Sequence, residues 1–281
     1  MGMPAAKVLV KAGYNVVGYD CRPEATAEFT SSGGESAPDY EAIAKKANIV
    51  IVFVLDDQQV IEVITGEHGI LADTAEGSTI VCMATISKAN LEWIAEQCKK
   101  KQVAFVDCPC TGGPARAENG TLTLIAAAAE NILARCRPVL ENLGTIVHVG
   151  EIPGMGQAVK HCNQLLVSTT HAAVMEVILM AKRAGLDLKQ VCEVIGSGVG
   201  GSDYFRLLSS SVLDGTPAPC GLGLMCKDSN IVVNAARQMK LPLLVATAAN
   251  QYFTAGESMG LEAEESSVLM KVVERFSDPD L

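Results

Sequence analysis

A chain of 281 residues is longer than one hydrophobic core commonly serves and points to two domains. The hydrophobic share of 49% marks a globular protein, and a formal net charge of −10 with no basic cluster beyond Lys99-Lys100-Lys101 argues against a nucleic-acid surface. Ten cysteines with no C-x-x-C pair, and four histidines (His68, His148, His161, His171) outside metal-ligand spacing, indicate reduced thiols and no metal site.

In chain order, residues 1–13 read as a helix. Short β-branched or apolar runs follow at 15–19, 49–54, 78–82, 103–107, 121–125 and 146–149, separated by amphipathic stretches. Continuous apolar strands alternating with helices predict an α/β domain over 1–150, built on a doubly wound, mostly parallel sheet covered on both faces. After Gly150 the pattern becomes all-helical, near 154–184, 187–197, 203–213, 223–239, 243–256 and 262–276. Gly185-Leu186-Asp187 ends one helix and caps the next, Gly215-Thr216-Pro217 breaks another, and Pro242 starts a fifth. Glu151-Ile152-Pro153 is the expected hinge into an all-α domain over 151–281, whose first helix would run about 45 Å. The charge-free window His161 to Met175 is too short and too polar to span a bilayer, and no signal-peptide pattern is visible. A soluble, cytoplasmic protein without a membrane partner is expected.

Chemistry concentrates where the long helix starts. In Gly154-Met155-Gly156-Gln157-Ala158-Val159-Lys160-His161-Cys162-Asn163-Gln164, Asn163 and Gln164 lie one turn from Lys160, and His171 returns to that face three turns on. An ammonium flanked by carboxamides can exchange a proton with a hydroxyl or carbonyl. Thr111-Gly112-Gly113 follows a buried strand, so its backbone N–H groups can converge on a carboxylate. At the other end, a dinucleotide-binding unit places a strand and G-x-G before its first helix and a carboxylate about 20 residues on. Gly2, beside Met3, matches the third glycine of that fingerprint and Asp20 the carboxylate. The first strand and first two glycines are not in this sequence, so the chain continues upstream, the sheet rearranges, or another segment substitutes.

These motifs resemble the β-hydroxyacid dehydrogenase family, which includes 3-hydroxyisobutyrate and tartronate semialdehyde dehydrogenases. The family's D-x-P-x-S-G-G corresponds to Asp107-Cys108-Pro109-Cys110-Thr111-Gly112-Gly113, its G-x-G-x-x-x-K-x-x-N-[NQ] to Gly154 through Gln164, and its K-D pair to Lys227-Asp228. The segment from Lys160 to Leu166 with His171, and the later Leu241-Pro242-Leu243 and Phe253-Thr254-Ala255, are similar to the L-threonate dehydrogenase branch. Asp203 and Leu208 depart from that branch, which has an aromatic residue and an arginine there.

The resemblance implies hydride transfer between a nicotinamide cofactor and a small hydroxy acid of threonate, 3-hydroxyisobutyrate or glycerate type. Lys160 and Asn163 would be catalytic, and Thr111, Gly112, Gly113, Gln164 and His171 would bind substrate. Gly2, Met3, Asp20, Leu55, Asp56, Thr85, Lys227 and Asp228 would contact the cofactor. Asp20 favours NAD by accepting from ribose hydroxyls and repelling a 2′-phosphate, while Arg22 offsets this toward NADP. Asp56 and Asp57 equally suit the N-cap of the following helix. A homodimer or homotetramer is implied. The competing reading is a catalytically impaired relative serving as a nucleotide-binding or oligomerisation module; imine reduction on the same scaffold is opposed by Lys160.

Overall fold

The structure, a computed structural model, describes residues 1–277, which form two compact units: Met1–Lys160, and His161 onward. The first unit runs α1 (Gly2–Lys11), β1 (Val17–Gly18), α2 (Pro23–Ser31), β2 (Glu35–Ser36), α3 (Tyr40–Lys46), β3 (Ile49–Val52), α4 (Asp57–Thr65), α5 (Ile70–Asp73) and β4 (Thr79–Cys82). It continues through α6 (Lys88–Lys100), β5 (Ala104–Asp107), β6 (Cys110–Thr111), α7 (Gly113–Glu118), β7 (Leu122–Ala127), α8 (Glu130–Leu140), β8 (Gly144–Gly150) and the start of α9 (Met155–Arg183).

Strand alternation explains why this sheet is covered twice. Ile49, Ile51, Val81 and Val106 face a core shared with Ala5 and Leu9 of α1 and Leu133, Cys136 and Leu140 of α8. Their neighbours Val50, Val52, Ile80, Cys82 and Phe105 face a second core with Val60 and Ile64 of α4 and Leu91, Ile94 and Cys98 of α6. Each fully buried Leu or Ile contributes about 1.5–3 kcal/mol. Side chains of Asp39, Asp56 and Ser87 cap α3, α4 and α6.

The sheet is mostly parallel, with β3, β4 and β5 paired in parallel, β7 antiparallel to β5 and β6, and β8 parallel to β7. The strands fall into two sheets. β1 and β2 pair only with each other, in a separate two-stranded sheet. β1 and β3 thus each keep one edge without a strand partner among the described residues, and β1 shrinks to two residues where five were expected.

In the second unit α9 packs with α10 (Leu188–Ser197), α11 (Asp203–Asp214), α12 (Leu222–Gln238), α13 (Leu244–Ser258), a 3-10 turn (Ser266–Val268) and α14 (Leu269–Ser277). Val174, Met175 and Ile178 recur at helical spacing and meet Phe205, Leu208, Met225, Phe253 and Val272. The helix expected over 262–276 begins later, because its first residues serve the uncapped start of α12. Glu264 O accepts from Leu222 N at 2.8 Å and Glu262 O from Gly223 N at 3.0 Å, while Ser266 N donates to Cys220 O. Length and composition make α9 apolar enough to cross a membrane, but half of that window is already buried within the protein, as in a core helix.

Candidate active site

The start of α9 is held by a buried carboxylate at the end of β5. Asp107 Oδ2 accepts from Gly154 N at 2.8 Å and from Gln157 N at 3.2 Å, satisfying donors that the helix's first turn leaves free. Gln157 Nε2 donates to Ala84 O at 3.0 Å and to Asp107 Oδ1 at 3.3 Å, and its Oε1 accepts from Ile86 N at 3.1 Å. Burial raises the Asp107 carboxyl to about 6 against the pull of the donors from Gly154, Gln157 and Gly156. Gly156 is required by close approach, because a Cβ there would sit 2.8 Å from Ile125 O and 2.9 Å from Asp107. This arrangement carries Lys160, three residues after Gln157 and only 8% exposed.

Lys160 lies near the loop that the sequence singled out. Burial raises the Cys110 thiol, while the charges of Lys160 and of the Met1 amine pull it back, so both cations act at the residue preceding Thr111-Gly112-Gly113. Thr111 pairs with Thr123 at the sheet edge. Gly112 turns the chain at φ +134°, and a Cβ there would meet Arg116 Cδ at 2.8 Å. Gly113 opens α7.

The expected cofactor residues divide into framework and free surface. Gly2 opens α1, whose N-terminus has no side-chain cap, and a Cβ on Gly2 would contact Phe53 Cβ at 3.3 Å. Met3 follows in the same first turn. An uncapped helix start reached by glycine fits a pyrophosphate. Asp20 is already engaged by Arg22, whose Nε, Nη2 and backbone N each donate to it at 3.0 Å, and these bonds hold the carboxyl below its usual value. Asp56 is the N-cap of α4, its Oδ1 accepting from Gln59 N at 2.8 Å, while Leu55 N donates to Gln59 Oε1. Asp57 accepts from Ser87 and Asn90 and ties α4 to α6. Thr85 sits between the two residues that Gln157 binds.

The second unit holds a connected polar chain. Asn163 Nδ2 donates to Gln164 Oε1 at 2.8 Å, Gln164 Nε2 donates to Asp228 Oδ2, and Asp228 Oδ1 pairs with Lys227 Nζ at 2.8 Å. Gln164 thus spends both ends of its amide on Asn163 and Asp228, a positioning geometry. His171, expected to bind substrate, is engaged within the second unit. It is fully buried, with Nδ1 at 2.9 Å from Tyr204 Oη and Nε2 at 2.9 Å from Ser266 O, and it packs edge-on against Phe253. Burial lowers its pKa to about 4, and neither ring nitrogen is left for a substrate.

Sequence reasoning assigned no role to Asp107 and Gln157. The available signal was a strand ending in a buried-type Asp-x-Pro and a polar side chain in the first turn of an apolar helix.

Residues 1–150 match the NAD-binding domain of 6-phosphogluconate dehydrogenase, and residues 154–273 match the NAD-binding domain of NADP-dependent 3-hydroxyisobutyrate dehydrogenase. The L-threonate dehydrogenase of Escherichia coli K12 is 30% identical over 99% of this chain and 93% of its own. The mitochondrial 3-hydroxyisobutyrate dehydrogenase of Rattus norvegicus is 30% identical over 95% of this chain and 82% of its own. The crystal structure of a 3-hydroxyisobutyrate dehydrogenase from Salmonella typhimurium superposes with a TM-score of 0.90 at 28% identity, covering 96% of this chain and 95% of the other. The chain belongs to the 3-hydroxyisobutyrate dehydrogenase family of NAD(P)-dependent β-hydroxyacid dehydrogenases.

Proposed function

We propose that the protein interconverts a small hydroxy acid and its oxo acid, with Lys160 as the general acid/base. The observation that carries this reading is a buried lysine on a fixed helix start, acting on the same loop that presents Thr111-Gly112-Gly113. Bound at α1, a nicotinamide dinucleotide supplies the hydride acceptor for oxidation of the alcohol. Lys160 Nζ takes the hydroxyl proton in that direction and returns it, as the ammonium, in reduction. Backbone N–H groups of Thr111-Gly112-Gly113 hold the substrate carboxylate, and Asn163, on the next turn of α9, donates to a substrate oxygen.

Gly2 and Met3 at the start of α1, Asp20 at the ribose, and Leu55 and Thr85 after their strands form the cofactor side, with Lys227 set by Asp228. NAD is the preferred nucleotide, and NADP remains usable because Arg22 neutralises Asp20. The substrate is of threonate, 3-hydroxyisobutyrate or glycerate type. We further propose a cytoplasmic homo-oligomer, supported by the exposed Leu241, Leu244 and Val245 beside an apolar groove lined by Val233 and Pro242.

The test is turnover of L-threonate, 3-hydroxyisobutyrate and glycerate, followed by nicotinamide absorbance, in wild type and Lys160→Ala. A loss of at least 100-fold in kcat with unchanged melting temperature is expected. A variant keeping more than about a tenth of wild-type kcat removes Lys160 from proton transfer. A second reading, a nucleotide-binding or oligomerisation module without turnover, is favoured by the open edges of β1 and β3. Nucleotide binding without oxidation of any of the three acids would select it.

A further inference from the structure

We infer that Asp107 and Gln157 are positioning residues that set Lys160 by locking the first turn of α9 to the loops after β4 and β5. The inference rests on the reading of Lys160 as the proton-transfer group. Both side chains are fully buried, and between them they make the five hydrogen bonds already described. Gln157 binds the carbonyl before Thr85 and the N–H after it, so the Thr85 peptide groups and the helix move together. Asp107 heads the segment that ends in Thr111-Gly112-Gly113, and it holds both Gly154 and Gln157. The loop for the cofactor, the loop for the substrate and the lysine are thereby joined through two side chains.

Stability alone explains this poorly. A Ser or Asp cap at a helix start still reached by solvent satisfies the same donors with less desolvation, as the exposed Asp39 and the half-buried Asp56 and Ser87 do elsewhere in this unit. At α9 the carboxylate is instead taken out of water, and its pKa rises to about 6. What the burial gains is rigidity. Lys160 lies three residues beyond Gln157, about 4.5 Å along the axis, so a tilt of the first turn moves its ammonium directly. A misplacement of about 1 Å can cost about 100-fold in rate.

Gln157→Met removes the amide at similar volume, and Asp107→Asn keeps the volume and one acceptor, so it reads the same effect if Gln157→Met does not fold. The first measurement needs no turnover: competitive acetylation of lysines with acetic anhydride, read by mass spectrometry, on the protein without nucleotide. Lys160 labelling should rise at least threefold relative to Lys99. Amide exchange should rise at least tenfold in 84–87 and 154–160 while 122–127 and the second unit stay unchanged. The second measurement is kinetic. Gln157→Met should lower kcat at least tenfold with KM within threefold, and should cost no more than twofold when added to Lys160→Ala. Unchanged Lys160 labelling, uniform loosening of the fold, or an equal loss in the Lys160→Ala background would each overturn the inference. If Lys160→Ala itself keeps turnover, the proton-transfer reading fails, while the labelling result still decides whether the two side chains position the lysine.

Discussion

Lowering the pH should unfasten the second unit at one residue, and His171→Gln isolates the effect. His171 stays neutral when folded, with a pKa of about 4, but titrates near 6.5 when unfolded. Between those values the unfolded chain binds more protons, so stability is complete above pH 6.5 and is lost as pH falls toward 4. Each pH unit inside the window is worth up to 1.36 kcal/mol, which integrates to about 2.5 kcal/mol between pH 7.5 and 4.5. Glutamine can still donate to Ser266 O but does not titrate, and it forfeits the ring contacts with Phe253 and Tyr204 at every pH. The stability difference between wild type and variant should therefore shrink by about 2.5 kcal/mol on going to pH 4.5, carboxylates common to both cancelling. Trp93, the single tryptophan, lies in α6 of the first unit, so its fluorescence reports the wrong unit. Amide exchange of peptides covering 174–178 and 225–233, with the His171 ring followed by NMR, gives the right one. Turnover at pH 7.5 should stay within threefold of wild type. A pH-independent difference, or an NMR pKa above 6, would refute a buried neutral His171. A large rise in KM would return His171 to the substrate.

Much of the fold was legible because its signals are local. The stretches 49–54, 80–82 and 103–106 are apolar at every position, and only a sheet covered on both faces buries both parities of such a strand. β2 and β6 escaped because Glu35-Ser36 and Cys110-Thr111 are two residues long and carry no alternation. The late start of α14 could not be read from 262–276 alone, since what stops the helix is the backbone of α12 some 40 residues earlier. Site residues divide the same way. Lys160, Asn163 and Gln164 share one helix face, which spacing reveals. The partners of Gln157 lie 50, 71 and 73 residues away and those of His171 33 and 95, distances at which periodicity is silent. The hydrogen bonds of a lone histidine on an apolar helix are therefore not legible in the sequence, and a helix-start glutamine drew no notice although it joins three segments.

Three further outcomes are expected. Asp20→Ala should narrow the preference for NAD over NADP, and Arg22→Ala should widen it, measured as the ratio of dissociation constants by fluorescence titration; an unchanged ratio in both would place the adenosine ribose elsewhere. Gly156→Ala should lower first-unit stability by about 2 kcal/mol or more in urea unfolding, because its methyl has no room beside Ile125 O and Asp107; a neutral substitution would mean that the start of α9 is loose. The last concerns the two open strand edges. In a doubly wound order the place between β1 and β3 belongs to a parallel strand leading into α1, and both edges here lack a strand partner among the described residues. A version of the protein extended ahead of Met1 by a β-branched strand and a G-x-G turn should pair these edges, join the two sheets and bring backbone N–H groups to the pyrophosphate above α1. Its NAD dissociation constant should fall at least tenfold, about 1.4 kcal/mol, with a higher melting temperature. Calorimetric titration of the 281-residue and extended chains decides it, since equal affinities would mean that the nucleotide's phosphates do not rest on the start of α1.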